Sequence, residues 1–183
     1  MTVLLILLVV VVLAGVALAL LYNNLVKLRN RIEGAWAQID VQLKRRYDLI
    51  PNLVETVKGY AGHEKETLDA VIRARNAAGS ASGPADQAQA EGMVTSALRQ
   101  VFALSEAYPD LKANQSFLQL QEELSGTEGR ISYARQFYND TVLRYNTKIQ
   151  TFPAVFIANA MSFKEREYFE ADDASRGPVD VTF

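Results

Sequence analysis

From Val3 to Leu21 every residue is apolar, the only break in side-chain bulk being Gly15. At roughly 1.5 Å per residue, a helix of that length comes close to the ~30 Å hydrocarbon core of a bilayer. The run therefore predicts a transmembrane anchor over residues 1–22. A cleaved secretory signal competes with it, because Ala17-Leu18-Ala19 has the small-x-small pattern of a cleavage site. Two features favour a retained anchor. No Lys or Arg lies between Met1 and Val3, and the apolar run exceeds the ~7–15 residues of a signal core. The chain has no Cys, which excludes a lipid-modified cysteine anchor and any disulfide framework.

The charges after the run set an expected orientation. Lys27, Arg29, Arg31, Lys44, Arg45 and Arg46 follow it, opposed by Glu33 and Asp40. Positive-inside bias then puts the body in the cytoplasm and the N-terminus outside. Lys27, Arg29 and Arg31 are placed to meet anionic headgroups, although a solvated helix face of mixed charge explains them equally well. The whole chain carries a formal charge of −2, which argues against a nucleic-acid partner.

Beyond the anchor, Leu25, Ile32, Trp36, Ile39, Leu43, Ile50, Leu53, Val57 and Tyr60 mark a seam of three- and four-residue steps, the pattern of a coiled coil or bundle helix. The first long helix is expected over about residues 22–61, continuing the anchor with little break. Leu68, Val71 and Ile72 suggest a further helix to about Ala78, and Gly79-Ser80-Ala81-Ser82-Gly83-Pro84 reads as a mobile linker. A helix after Asp86, through Met93, Leu98, Val101, Phe102 and Leu104, should stop near Ala107 ahead of Pro109. Asp110 and Asn114 then offer turn and cap chemistry.

A second long seam runs through Phe117, Leu120, Leu124, Thr127, Ile131, Ala134, Tyr138, Thr141, Tyr145 and Phe152, giving a helix over about residues 111–151. The fold class is all-α: a transmembrane helix continuing into an elongated antiparallel helical bundle over residues 23–170, with shorter helices between and after the long ones. Pro153 ends the last long helix, and "AVFIANAM" reads as a short helix, apolar all round, that doubles back to burial or membrane contact. Residues 171–183 should form an extended or flexible tail.

Catalytic chemistry finds little support. His63-Glu64-Lys65-Glu66-Thr67 starts like a zinc-protease helix, but Thr67 stands where a second His is required, and His63 is the chain's single histidine. It reads as a cap or a solvated residue. Glu122-Glu123 and Asp172-Asp173 are helix neighbours that do not face each other. No phosphate loop or nucleophile elbow appears. No catalytic residue, metal or cofactor is expected. Gly126 and Gly129 cost the helix about 1 kcal/mol each relative to Ala, and mark either close helix approach or a flexible spot.

Polar residues on the seams are more specific. Arg46 shares the stripe of Leu43 and Ile50, so its guanidinium must snorkel out or meet a carboxylate. Candidate partners are Glu122, Glu123, Glu128, Asp140 and Glu106, and the expected role is a buried polar register carried by Arg46, Glu106 and Glu128. Pro51 removes the amide that would bond the Tyr47 carbonyl, so the helix should kink there or restart with Asp48 as its cap. Tyr138-Asn139 and Tyr145-Asn146 read as ordinary packing with an amide-mediated hydrogen bond, and Tyr22 fits an interfacial aromatic position. Gly15 and Ala19 form a small-xxx-small spacing that allows two transmembrane helices to approach. Together with the heptads, this spacing points to a homo-oligomer, with contacts to a second copy or to lipid at Gly15, Ala19, Tyr22, Lys27, Arg29 and Arg31.

"YNNLVKLRNRIEGAWAQIDVQLKRRYDLIPNLVETVKGYAGHE", "EAYPDLKANQSFLQLQEELSGTEGRISYARQFYNDTVLRYN" and "FPAVFIANAMSF" with "YFE" closely resemble the LemA family of bacterial membrane proteins, collinearly from Tyr22 onward. The motif positions are Asp40, Lys44, Arg45, Arg46, Asp48, Pro51, Asn52, Glu106, Pro109 and Glu128. The resemblance implies an N-terminal anchor and a cytoplasmic-type helical bundle without established enzymatic activity. It also implies relatives associated with internal membranes or encoded near membrane proteases. The functional expectation is a non-enzymatic, single-pass membrane protein whose bundle self-associates and organises or remodels the lipid bilayer. The alternative is a membrane-tethered adaptor that presents its bundle groove or tail to another membrane protein such as a protease.

Overall fold

In the computed structural model, residues 1–170 are described, and among them there is no strand. The order is α1 (Thr2–Ala61), α2 (Lys65–Ser80), α3 (Pro84–Leu104), a single 3-10 turn (Ser105–Ala107), α4 (Pro109–Lys112), α5 (Gln115–Gln150) and α6 (Ala154–Ala160). The protein is thus all-α. The expected tail at 171–183 lies outside the described residues. Two compact units are present, one from residues 1–37 and 137–166, the other from residues 38–136 and the described residues from 167 on. Both α1 and α5 contribute to each unit.

Local chemistry accounts for the helix boundaries. Anchor and first body helix are one unbroken element, α1. Asn114 starts α5 four residues later than expected, because its Oδ1 accepts from the Phe117 amide at 3.0 Å, the geometry of an N-cap serving the third helical residue. The expected linker is shorter than its composition implies. Gly79 and Ser80 complete α2, and Pro84 takes the first position of α3, where its missing amide costs nothing. Gly83, at φ 88°, adopts the left-handed geometry that a glycine tolerates best.

In the first unit the core combines Leu25, Ile32 and Ala35 of α1 with Tyr138, Val142, Tyr145 and Ile149 of α5 and Ala154, Ile157 and Ala158 of α6. The Trp36 and Tyr138 rings meet at 5.5 Å. The segment after α6 is held through its backbone. Tyr145 Oη donates to the Lys164 carbonyl, Asn146 Nδ2 donates to the Arg166 carbonyl, and the Arg166 amide donates to Asn146 Oδ1, each at 2.9 Å. Burial pushes the Tyr145 phenol above its usual range, with Arg166 and Arg29 opposing, so it remains the neutral donor this contact needs. Phe152, expected on the α5 seam, lies beyond the helix end and is exposed.

The second unit packs Ile50, Leu53, Val54 and Val57 of α1 against Leu68 and Val71 of α2, Val94, Leu98 and Val101 of α3, and Phe117 and Leu124 of α5. Within it α1 and α5 run antiparallel: Arg46 meets Glu128, and Tyr60 meets Asn114, 14 residues along each helix. Two expected core positions are corrected. Tyr60 and Met93 are exposed, while the adjacent Ala61 and Val94 are buried, because the seams step past them by one residue. Gly126 and Gly129 have nothing within 4 Å of where a Cβ would stand, so neither serves close approach within this chain.

Pro51 lies inside α1 without breaking it, and the expected restart at Asp48 is corrected: Asp48 is an interior helical residue. The carbonyl freed at Tyr47 instead accepts from Arg75 Nε of α2 at 2.8 Å. A buried carbonyl left unpaired costs about 1–3 kcal/mol, and a bond to a charged donor recovers much of that. Arg75→Met should therefore lower stability by about 1.5–3 kcal/mol. In a Pro51→Ala background, where the helix supplies its own amide, the same change should cost under about 1 kcal/mol. Denaturant titration of the four variants by far-UV circular dichroism measures this, and additive losses would contradict it.

Candidate functional site

The polar residues that sequence reasoning placed on the seams converge in the second unit. Arg46 is 2% exposed, between Leu43 and Ile50 on the buried face of α1. Its Nη1 pairs with Glu91 Oε2 of α3 at 3.1 Å, and its Nη2 pairs with Glu128 Oε2 of α5 at 2.9 Å. Nη2 also donates to Thr95 Oγ1 at 2.7 Å. Glu91 is itself buried, and its other oxygen accepts from the Tyr47 hydroxyl and from Gln87 Nε2, the latter at 3.1 Å. Gln87 Nε2 also donates to the Ala78 carbonyl of α2 at 3.1 Å. One guanidinium and one carboxylate thereby tie four helices through side-chain and backbone partners.

Electrostatics within the cluster oppose one another. Burial pushes the Glu91 carboxyl up, the Tyr47 hydroxyl, Arg46 and Gln87 pull it down, and the net direction is upward. Tyr47 is raised well above a normal phenol by burial and by Glu91, which leaves it a firm donor. Glu128 differs, its side chain being about half exposed (47%), so water shares its charge. Arg45 and Glu123, at 3.4 Å and both about half exposed (51% and 50%), form a surface pair worth at most about 1 kcal/mol.

Several expected site residues fall elsewhere. Glu106 is corrected: it is exposed and pairs with Lys112 at 2.5 Å, because the 3-10 turn carries it outward. Of the other carboxylates considered for Arg46, Glu123 takes Arg45 and Asp140 is exposed. Sequence reasoning missed Glu91. Its signal was the four-residue spacing from Gln87, which puts both polar side chains on the same face as Val94 and Leu98. In the first unit, Gly15 faces open space and Lys27 is exposed. Arg29 stacks over Phe163 at 5.7 Å and Arg31 over Phe137 at 5.3 Å. Ala19 and Tyr22 line an apolar groove.

Beside the charge cluster a cavity of about 490 Å³ opens between α3 and α5. Its lining combines the polar side chains of Arg46, Thr95, Arg99, Glu122 and Glu128 with the apolar ones of Leu98, Phe102, Leu118 and Leu124. Among the described residues no three His, Asp or Glu side chains converge as metal ligands. Of the two carboxylates that line the cavity, Glu128 is paired with Arg46, an arrangement suited to holding helices rather than to exchanging protons, and Glu122 is exposed.

A model described as the LemA family matches residues 35–183. A relative named Protein LemA from Metamycoplasma hominis is 28% identical over 164 residues, covering 87% of this chain and 74% of the relative. Magnetosome protein MamQ 2 from Paramagnetospirillum magneticum is 24% identical over 184 residues, covering 86% of this chain and 68% of the relative. Magnetosome protein MamQ from Magnetospirillum gryphiswaldense matches with the same identity and coverage.

Removing Arg46 alone leaves Glu91 buried without its cation. Arg46→Leu should cost about 3–5 kcal/mol, and Arg46→Leu with Glu91→Gln should recover most of it. Equal melting temperatures for the single and double variants would contradict a buried pair. The raised Glu91 carboxyl also gives a pH signature. Its contribution to stability is complete below its unfolded value, about 4.3, and is lost as pH rises through the higher folded value. Across that rise the protein should lose more stability than its Glu91→Gln variant, as read from denaturation midpoints, and parallel pH curves would sink the idea.

Proposed function

We propose, from the premise that this chain belongs to the LemA family and is membrane-associated, that it is a non-enzymatic, single-pass protein of the bacterial inner membrane whose helical body self-associates and organises or remodels the bilayer. One observation carries the anchored reading. No residue of the most apolar 18-residue stretch at the start of α1 is buried by the rest of the chain, as a core helix of a water-soluble protein would be. An uncovered helix of this length and composition loses about 25 cal/mol for each Å² of apolar surface left in water, and a bilayer removes that cost. The basic residues after the run support an N-terminus outside and a cytoplasmic body.

Self-association draws support from Gly15 and Ala19, since the space beside Gly15 is open and small residues let two spans approach. Relatives named as magnetosome proteins support a role tied to a membrane-bearing structure. The pairing of Glu91 and Glu128 with Arg46, which suits holding helices together, supports a non-enzymatic role. The cavity between α3 and α5 favours one alternative, an adaptor that offers this groove to another membrane protein.

The test is the particle extracted in mild detergent and the vesicle into which it is reconstituted. The expected outcome is a multimer by light scattering that Gly15→Leu shifts toward monomer, with altered vesicle shape in electron micrographs. A monomer that leaves vesicles unchanged would refute the self-association and remodelling reading, and a specific co-purifying membrane protein would favour the adaptor.

A further inference from the structure

We infer that α6 is a second membrane element. It lies in the interfacial layer of the leaflet on the body side, with a lipid acyl chain filling the groove between it and the anchor. The inference rests on the anchored reading above and is carried by the placement of α6 within the first unit. Ala154, Ile157 and Ala158 are buried, which fixes the rotation of the helix and turns its other face outward. On that face Phe156 is 67% exposed, and Phe152 and Met161, just outside the two ends of the helix, are 81% and 61% exposed. From Phe152 to Phe163 the sequence has no charged residue.

The groove sets the depth. It has a volume of about 460 Å³ and is lined by Leu18, Ala19 and Tyr22 of α1 opposite Phe156, Ala160 and Met161. Leu18 belongs to the apolar run that ends at Leu21. Three residues at roughly 1.5 Å each put it about 4.5 Å inside the hydrocarbon boundary. A helix level with Leu18 therefore sits at the depth of interfacial amphipathic helices, roughly 5–10 Å into the headgroup and acyl boundary.

The neighbouring chemistry follows the same layering. Tyr22 meets Phe163 edge to face at 5.9 Å, and Arg29 lies over the Phe163 ring, 5.7 Å from its centroid. Tyrosine at the interface and arginine at the headgroups is the usual order. Lipid is the occupant these observations favour, because one wall of the groove is the membrane span itself. A soluble partner would have to enter the bilayer to reach it.

The chain has no cysteine, so single-cysteine variants of the full-length protein give unique spin-label positions without further change. Val10→Cys, Phe156→Cys and Asn30→Cys would be labelled with a nitroxide and reconstituted in vesicles of phosphatidylethanolamine with a minority of phosphatidylglycerol. Collisions with dissolved oxygen, which concentrates in lipid, are compared with collisions with a water-soluble nickel chelate. The expected result is that the label at 156 favours oxygen, as at position 10, while the label at 30 favours nickel. Nickel access at 156 equal to that at 30, with 10 in lipid, would overturn the placement of α6 and leave the anchor standing. A label at 156 closed to both probes would overturn it in favour of a second copy covering the face. Nickel access at position 10 would overturn both readings.

Discussion

A guanidinium held in a protein interior loses its water and must find compensating charge, and this demand at Arg46 governs the arrangement of the second unit. Satisfying it brings Glu91 from α3 and Glu128 from α5 to one point on α1, 45 and 82 residues away in sequence. Apolar seams alone tolerate sliding by a turn, since one Leu fits a pocket much as another does. A buried charge with two named partners does not tolerate it, because a shifted register would leave an ion unpaired at a cost of several kcal/mol.

Pro51 imposes a second demand five residues further along α1. Its missing amide exposes the Tyr47 carbonyl, and Arg75 reaches across from α2 to take it. Tyr47 thus carries both ends of one arrangement: its carbonyl ties α1 to α2, while its hydroxyl donates to Glu91 on α3. A helix defect and a buried ion pair, adjacent in sequence, stabilise different contacts of the same helix. A proline retained inside a long helix is therefore compatible with a well-determined structure when another helix supplies the missing donor.

Much of this was legible in the sequence. The apolar run, the three-four seams and Pro153 gave the helix count closely, and Arg46 stood out because a charge occupied a seam position. Glu91 did not, because its surroundings, Gln87 to Gly92, look polar and small, and burial there depends on Ala88 and Ala90 letting helices approach. Arg75 occupies the seam of Leu68, Val71 and Ala78, so the reasoning applied to Arg46 would have found it. Glu106 misled because nearness to the end of a helix does not say which way a side chain points once the chain tightens into a 3-10 turn. Long-range pairing of short helices is set by tertiary packing, and periodicity along one helix carries no information about it.

The hold on the segment after α6 has a consequence of a different kind. Tyr145 and Asn146 bind the main chain at Lys164 and Arg166 and engage neither side chain by hydrogen bonding. These three bonds are indifferent to the side chains at 164 and 166, while Glu165 adds a bond from Gln150 Nε2 at 2.6 Å and Arg166 an ion pair with Glu33 at 3.6 Å. The main-chain part of the attachment survives a change of charge at 164 or 166 provided position 166 keeps an amide hydrogen. Asn146 is thereby constrained more tightly than the side chain at 164, which the same bonds leave untouched.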